Sequence, residues 1–469
     1  MVSKEYLMIH TERVRMLDMF NLVFSSKSLA EYGFVETNNI NLMIPMNIST
    51  RLLILMSLFF SIISLLFSDN AKKFEDWLEY SLNKLSLNGG FFGLLRTTFS
   101  TGSLRRPDPE AANYRSLRSF ESGQVELDKN LISSLKLAMK LEQLETSSQN
   151  TSLMMLAAFA SNLAYENEAR IKYIVNDHLQ MTFVEYFKCW NVSTKAESTR
   201  AFICYDKLED AELIILSFRG TSKSIDWKCN LGMSFMKMGE MGRVHLGFLA
   251  ALGLQDRRDI DKGFPKEYNG NKSLAYYSIR KVLYDQLKKY KNAKILVTGH
   301  SLGGALAILY TSLLVMHEEH DILKRINWVL TFGQPRVGDA SFGDTMFSNV
   351  ETKYIRSVYR FDIVPRVPFD LNPFVLYKHF GVCINYTNWY DGKKVKEVAN
   401  KNYFNVLYCH IMFWGAVEDF FRSLPGIWTG LNGFIETLFR LFLISFPGVA
   451  FHSMKNYINA TCKAKHVAP

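Results

Sequence analysis

Residues 297–307 read VTGHSLGGALA. Before them, Ile295–Thr298 is an apolar, β-prone run; after them, Ala and Leu continue as a helix. Between lies Gly299-His300-Ser301-Leu302-Gly303, a Gly-x-Ser-x-Gly turn joining strand to helix. This is the pattern of a nucleophile elbow, in which a serine at a strained bend stands above the edge of a sheet. Gly299 and Gly303 flank it because side chains there would collide where strand and helix close together. The Leu302 N–H, at the start of the helix, points to where an oxyanion would form, and a helix N-terminus favours negative charge. A bare Gly-x-Ser-x-Gly occurs by chance in chains of this length, so the flanking strand and helix carry the reading.

Working outward, Thr199–Tyr205, Glu212–Phe218, Ile326–Phe332 and Tyr354–Tyr359 read as further strands. Met154–Tyr173 and Ala275–Tyr290 read as helices, the second with Ile279, Val282, Leu283, Leu287 and Tyr290 on one face. Strands alternating with helices predict a mostly parallel sheet covered on both faces. The fold class expected is α/β.

A serine nucleophile needs a base, and the base needs a carboxylate to orient it. Asp362, in YRFDIVPRVP, follows a strand and precedes a proline-bounded loop, which puts it at the C-terminal edge of the sheet beside the elbow. Asp339 and Asp344 lie in a polar turn and are expected to be solvated. The order Ser…Asp…His leaves His379, His410 and His452 as candidate bases, with His466 in a charged tail. His452 follows Pro447 and Gly448 on a loop. His410 opens an apolar, helix-like run.

The chain has 469 residues, enough for one large α/β domain with an extension. Its net charge of +10 suits nucleic acid or an anionic membrane. No helix-turn-helix, zinc-finger or ribonucleoprotein signature is present, so no nucleic-acid partner is expected. Six scattered cysteines without a CxxC argue against a disulfide framework and a structural zinc site. Neither a metal nor an organic cofactor is expected.

Leu52–Phe67, LLILMSLFFSIISLLF, is uncharged throughout. As a helix it would measure about 24 Å, short of a hydrocarbon core of about 30 Å. Three readings remain open: a monotopic or hairpin insertion bent near Pro45, a single tilted spanning helix, and a buried core helix. Residues 71–150 read as a helical, basic connection, with Arg105, Arg106, Arg115 and Arg118 forming either a solvated linker or a collar against anionic lipid. Residues 410–451 are aromatic and nearly uncharged, and suit core helices or a lipid-facing patch equally.

Six motifs in order resemble the class 3 lipases, the fungal-type triacylglycerol lipases and their plant relatives. They are FRGT (Phe218–Thr221), SIDWKCNL (Ser224–Leu231), VHLGF (Val244–Phe248), VTGHSLGGALA, FGQPRVGD and DIVPRVP. The tail motifs YKHFGVC, NKNYF and PGVAFHSMKNYIN look most like the plant oil-body lipases, as does the apolar N-terminal segment. The resemblance implies an α/β-hydrolase fold over 151–469, preceded by a membrane- or droplet-associating segment over 1–70. It implies a Ser301–Asp362–His452 triad. His452 and Tyr457 match the family's His-x-x-x-Tyr tail with one extra residue, and His410 is the alternative base. Thr221 would join Leu302 in the oxyanion hole. Residues 222–243 would form a lid with Ile225 and Trp227 on its apolar face. The implied activity is hydrolysis of acylglycerol esters at a lipid–water interface, on a lipid droplet (oil body) or membrane facing the cytosol. A phospholipase A1 or galactolipase using the same triad is the alternative, and a non-catalytic membrane docking protein a more remote one.

Overall fold

The computed structural model describes residues 5–38, 43, 45–100, 103–121, 147–207, 209–221, 234–253, 265–350, 353–368, 377–388, 391–396, 406–429, 431–444 and 447–463. Ile225 and Trp227 lie outside the described residues.

The strands are β1 (Tyr6–Ile9), β2 (Val35–Thr37), β3 (Thr182–Asn191), β4 (Ala196–Tyr205), β5 (Leu213–Phe218), β6 (Phe235–Lys237), β7 (Arg243–His245), β8 (Lys294–His300), β9 (Ile326–Phe332), β10 (Tyr354–Tyr359), β11 (Val382–Asn388) and β12 (Asp391–Val395). Eight of them form one sheet in the order β12-β11-β10-β9-β8-β5-β4-β3. The five from β5 to β11 run parallel, and β3, β4 and β12 are antiparallel at the edges. This is the mostly parallel sheet expected of an α/β-hydrolase, with an added β3–β4 hairpin that the strand pattern did not separate.

The helices named below are α1 (Met16–Phe24), α2 (Ile48–Leu87), α3 (Gly90–Phe99), α4 (Ser147–Leu163), α5 (Glu168–Tyr173), α6 (Leu246–Leu252), α7 (Ala275–Lys289), α8 (Leu302–Met316), α9 (Val406–Ser423), α10 (Leu431–Leu443), α11 (Pro447–Ala450) and α12 (Met454–Lys463). Alternate residues of the central strands face opposite layers. Ile214, Leu216, Ile295, Val297 and Val329 pack against α6, α7 and α8. Ile215, Leu296, Leu330 and Phe332 pack against α4 and α12. The helix expected over 154–173 is two helices. Asn167 interrupts it, because its side chain accepts from the Arg170 N–H and caps α5.

Register sets the site. Phe218 pairs with Gly299, His300 with Phe332, Phe332 with Ser357, and Tyr359 with Tyr386. The C-terminal ends of β5, β8, β9 and β10 therefore finish side by side.

The N-terminal region departs from the expected division in two ways. First, β1 pairs with β2 and with β6, making a four-stranded sheet β2-β1-β6-β7. Residues 5–38 are thus stitched to the hydrolase body, with an Ile9 N–H to Ser234 Oγ bond of 3.1 Å and an Arg243–Glu5 ion pair of 2.6 Å. The same pairing corrects the far end of the expected lid, because Phe235 and Met236 are buried strand residues. Second, α2 runs unbroken for 40 residues, about 60 Å, through the expected boundary at residue 70. Pro45 lies outside it, bridged to Ser28, and Asn47 caps its start. No bend at Pro45 interrupts the apolar run.

Two residues near its start belong to a core: Ile54 and Leu58 pack with Leu7, Ile9, Leu22 and Phe235. Leu52 and Phe59 are exposed. Among the described residues, no helix is long and apolar enough to cross a membrane. Arg115 is not part of a lipid collar. It is buried, stacks on Phe120 at 4.4 Å and donates to the Ser119 carbonyl.

Candidate functional site

Ser301 sits at φ 58°, ψ −131°, between β8 and α8. A non-glycine residue there is strained and persists only when its surroundings hold it. Its N–H donates to the Phe332 carbonyl at 2.9 Å. The neighbouring glycines are required by space: a Cβ on Gly299 would come within 2.3 Å of the Gly303 backbone, and one on Gly303 within 2.2 Å of the Phe218 carbonyl. The serine is nearly buried, at 4 % exposure.

Asp362 follows β10 and is fully buried. Its Oδ1 accepts the Val364 N–H at 2.9 Å. Its Oδ2 receives two donors, His452 Nδ1 at 2.8 Å and the Tyr457 hydroxyl at 2.5 Å. The Tyr457 hydroxyl in turn accepts from the Tyr359 N–H at 3.2 Å. Burial, then the Asp362 charge, holds the Tyr457 phenol well above its ordinary range, so it stays a donor. The carboxylate's position is set by three groups, from the turn after β10, the loop between α11 and α12, and α12 itself.

His452 lies on the loop between α11 and α12, its N–H bonded to the Val449 carbonyl. Gly333, the residue after β9, sits directly against the pair. At φ +56°, a Cβ there would meet Asp362 Oδ2 and His452 Cε1, each at 2.9 Å. Because Ser301 is bonded to residue 332 and the His–Asp pair touches residue 333, the elbow, Asp362 and His452 converge on one point of the β9 end.

The rival histidines are elsewhere. His410 is exposed on α9 and accepts from Trp414 Nε1 at 2.8 Å. His379 Nε2 donates to the Pro365 carbonyl at 2.6 Å. The rival Asp339 holds a turn, accepting from the Arg243 and Phe342 N–H groups.

Thr221 follows β5 and is buried. Gly220 before it admits no side chain, since a Cβ would meet Tyr165 Oη at 2.1 Å and the His300 carbonyl at 2.5 Å. Thr221 and Leu302 border one small cleft with Gly220, Gly247 and Leu306. The two expected oxyanion-hole residues, one after β5 and one at the start of α8, are thus neighbours in the lining of one cleft. No cluster of His, Cys, Asp and Glu that could hold a metal is present among the described residues.

Three features escaped the sequence reading. Gly333 carried a signal only as the Gly of FGQP. Tyr457 was visible as a spaced partner of His452 but not as a donor to Asp362. The packing of His300 against His452 has no signal in the sequence.

Residues 215–372 match the family model described as Lipase (class 3). Triacylglycerol lipase OBL1 of Arabidopsis thaliana is 36% identical over 413 residues, covering 82% of this chain and 79% of its own. Triacylglycerol lipase OBL1 of Ricinus communis is 35% identical over 438 residues, covering 83% and 82%. Among solved structures, the native Rhizomucor miehei lipase propeptide complex aligns with 24% identity and a TM-score of 0.40, over 54% of this chain and 74% of that one. With its motifs in order along the parallel sheet, and relatives this similar over most of both lengths, the chain belongs to the class 3 lipase family.

Proposed function

We propose that this protein is a serine lipase that hydrolyses acylglycerol esters, triacylglycerol to diacylglycerol and fatty acid, with Ser301, His452 and Asp362 as its triad. The observation that carries the reading is the buried Asp362–His452 pair at 2.8 Å, set against the end of the strand that anchors the strained Ser301. A carboxylate only accepts, so His452 Nδ1 carries the hydrogen and Nε2 is left as the basic nitrogen. Nε2 takes the Ser301 proton as Oγ bonds to the acyl carbon and the carbonyl electron pair moves to oxygen. The Thr221 and Leu302 N–H groups stabilise that oxyanion, at about 2.7–4 kcal/mol per donor. The tetrahedral adduct expels the glycerol oxygen, which receives the proton from Nε2. Water, deprotonated by the same nitrogen, then releases the fatty acid and restores Ser301.

The protein works on this reading at a lipid surface, a droplet or membrane facing the cytosol. Support comes from large apolar side chains left exposed in two regions. Phe20, Phe24, Phe59, Trp77, Phe92 and Phe99 project from α1–α3, and Trp414, Phe421, Trp428, Phe434 and Leu441 from residues 406–443. Leu82, Phe120 and Ile435 join the two regions in one small core. Aromatic side chains in such numbers favour the boundary between water and lipid. Residues 222–233 remain the proposed lid.

The test is hydrolysis of triacylglycerol, phospholipid and galactolipid by the wild type and Ser301→Ala, with fluorophosphonate labelling. Loss of a serine nucleophile costs on the order of 10⁶ in kcat. Residual Ser301→Ala activity above about 1% of wild type defeats the nucleophile assignment. A polar lipid preferred over triacylglycerol transfers the same mechanism to a phospholipase or galactolipase.

A further inference from the structure

His300 is the first variable residue of the Gly-x-Ser-x-Gly turn, just before Ser301, and the mechanism above leaves it unused. It is 2 % exposed. Its ring lies over the His452 ring, with centroids 4.4 Å apart and planes 28° from parallel. Its Nε2 is 3.0 Å from the His452 carbonyl. A carbonyl oxygen only accepts, so Nε2 carries a hydrogen. Burial first, and then the neighbouring His452, hold the His300 imidazole well below its ordinary range, so the ring is neutral. Nδ1 is therefore a bare lone pair, and it accepts from the Tyr165 hydroxyl at 2.8 Å. Tyr165 selects the tautomer that lets His300 donate to residue 452. Gly220 makes room for that hydroxyl.

We infer that His300 is a positioning residue for the base His452, locked in its donor tautomer by Tyr165. The inference rests on the triad reading. Asp362 holds His452 at one ring atom, Nδ1. His300 adds two further restraints, a bond to the loop backbone of residue 452 and a flat surface against the imidazole. Neutrality matters to that surface. His452 becomes a cation in every turnover, and an uncharged ring accepts a cation on its face where a second imidazolium would repel it. The other polar groups around the pair are Asp362 against His452, Tyr457 bonded to Asp362 with its ring edge-on to His300 at 5.7 Å, and Arg118 and Tyr165 on the side of His300.

The experiment compares His300→Phe, which keeps the ring and loses both hydrogen bonds, with His300→Gln, which keeps a donor and loses the ring. Tyr165→Phe and the double variant Tyr165→Phe/His300→Phe complete the set. Rates on a soluble short-chain ester are divided by active sites titrated with a fluorophosphonate, and kcat and KM are read separately. His452→Ala runs alongside, and its retention of activity would mark failure of the triad reading itself. In His300→Phe, kcat per active site is expected to fall about 10- to 100-fold, the range for a mis-set catalytic group, with KM within about twofold. Tyr165→Phe should lose less, and the double variant should lose no more than His300→Phe, because Tyr165 acts through His300. A merely structural role would lower the titrated fraction and the urea midpoint and spare kcat per site. Wild-type kcat in His300→Phe, or losses that multiply in the double variant, overturns the proposal. Should His300→Phe not fold, His300→Gln and Tyr165→Phe decide it on the same reading.

Discussion

Gly333→Ala would separate backbone strain from damage to the His–Asp pair. Gly333 has φ +56°, and placing an alanine in the left-handed region costs about 1–2 kcal/mol of stability. The new Cβ would also stand 2.9 Å from Asp362 Oδ2 and from His452 Cε1, against an ordinary contact of 3.4–4 Å. One side must therefore give by about half an ångström. Asp362 Oδ2 is held by His452 Nδ1 and Tyr457, so the histidine moves or the 2.8 Å bond lengthens. A shift of that size should cost about 10- to 100-fold in kcat, or roughly 1.4–2.7 kcal/mol of transition-state stabilisation. Gly239→Ala is the internal control. Its φ is +54°, and nothing lies within 4 Å of its added Cβ. It should lose the same stability and keep kcat. The assay is urea unfolding together with active-site-titrated kcat on a soluble ester. Equal kcat in the two variants would show that the carboxylate and histidine are not held as tightly as their bonds imply.

Asp362→Asn should lower kcat by about 10⁴, because the amide no longer enforces the Nδ1–H tautomer, while His410→Ala should leave ester hydrolysis unchanged; steady-state rates of the two variants check both. Asp419, buried between Arg360 and Arg440, has its pKa raised to about 6 by burial, the arginines opposing the shift. The native state thus binds that proton more tightly than the unfolded chain does. The resulting stabilisation is complete below the unfolded value of 3.8 and is lost as pH rises through about 6. Asp419→Asn should reduce the stability difference between pH 4 and pH 7 by about 2 kcal/mol, read by urea unfolding at both pH values. Leu58→Ala should cost about 2–5 kcal/mol, whereas Phe59→Ser on the exposed side should spare stability and weaken flotation with lipid vesicles.

What could be read from the sequence is what lies close along the chain. The elbow, its glycines and the residues that end β5 and β10 are local patterns, and the parallel sheet follows from strands alternating with helices. His452 is preferred to His410 on the resemblance, because nothing local records that one faces Asp362 and the other bonds to Trp414. Contacts between distant segments were not legible at all. Tyr165 meets His300 across 135 residues, and Tyr457 meets Asp362 across 95. The division at residue 70 failed for a different reason. Between Ile48 and Leu87 there is no glycine or proline to end a helix, so the apolar run passes straight into an amphipathic one. Strand β1 is only four residues long and carries no turn signal of its own. Its partner across the ladder decides it.

That ladder also sets a timetable. Ile9 is bonded to a residue 225 positions later, so at 5–20 residues per second the N-terminal strand waits about 10–45 s for β6 to be made. Through that interval Leu7, Leu22, Ile54 and Leu58 lack Phe235 and Tyr377, which close their core. The most apolar part of the nascent chain is thus the part left longest without its native cover. A chaperone or a lipid surface that takes it up during synthesis would act before the hydrolase body exists, and a chain truncated ahead of β6 should emerge insoluble.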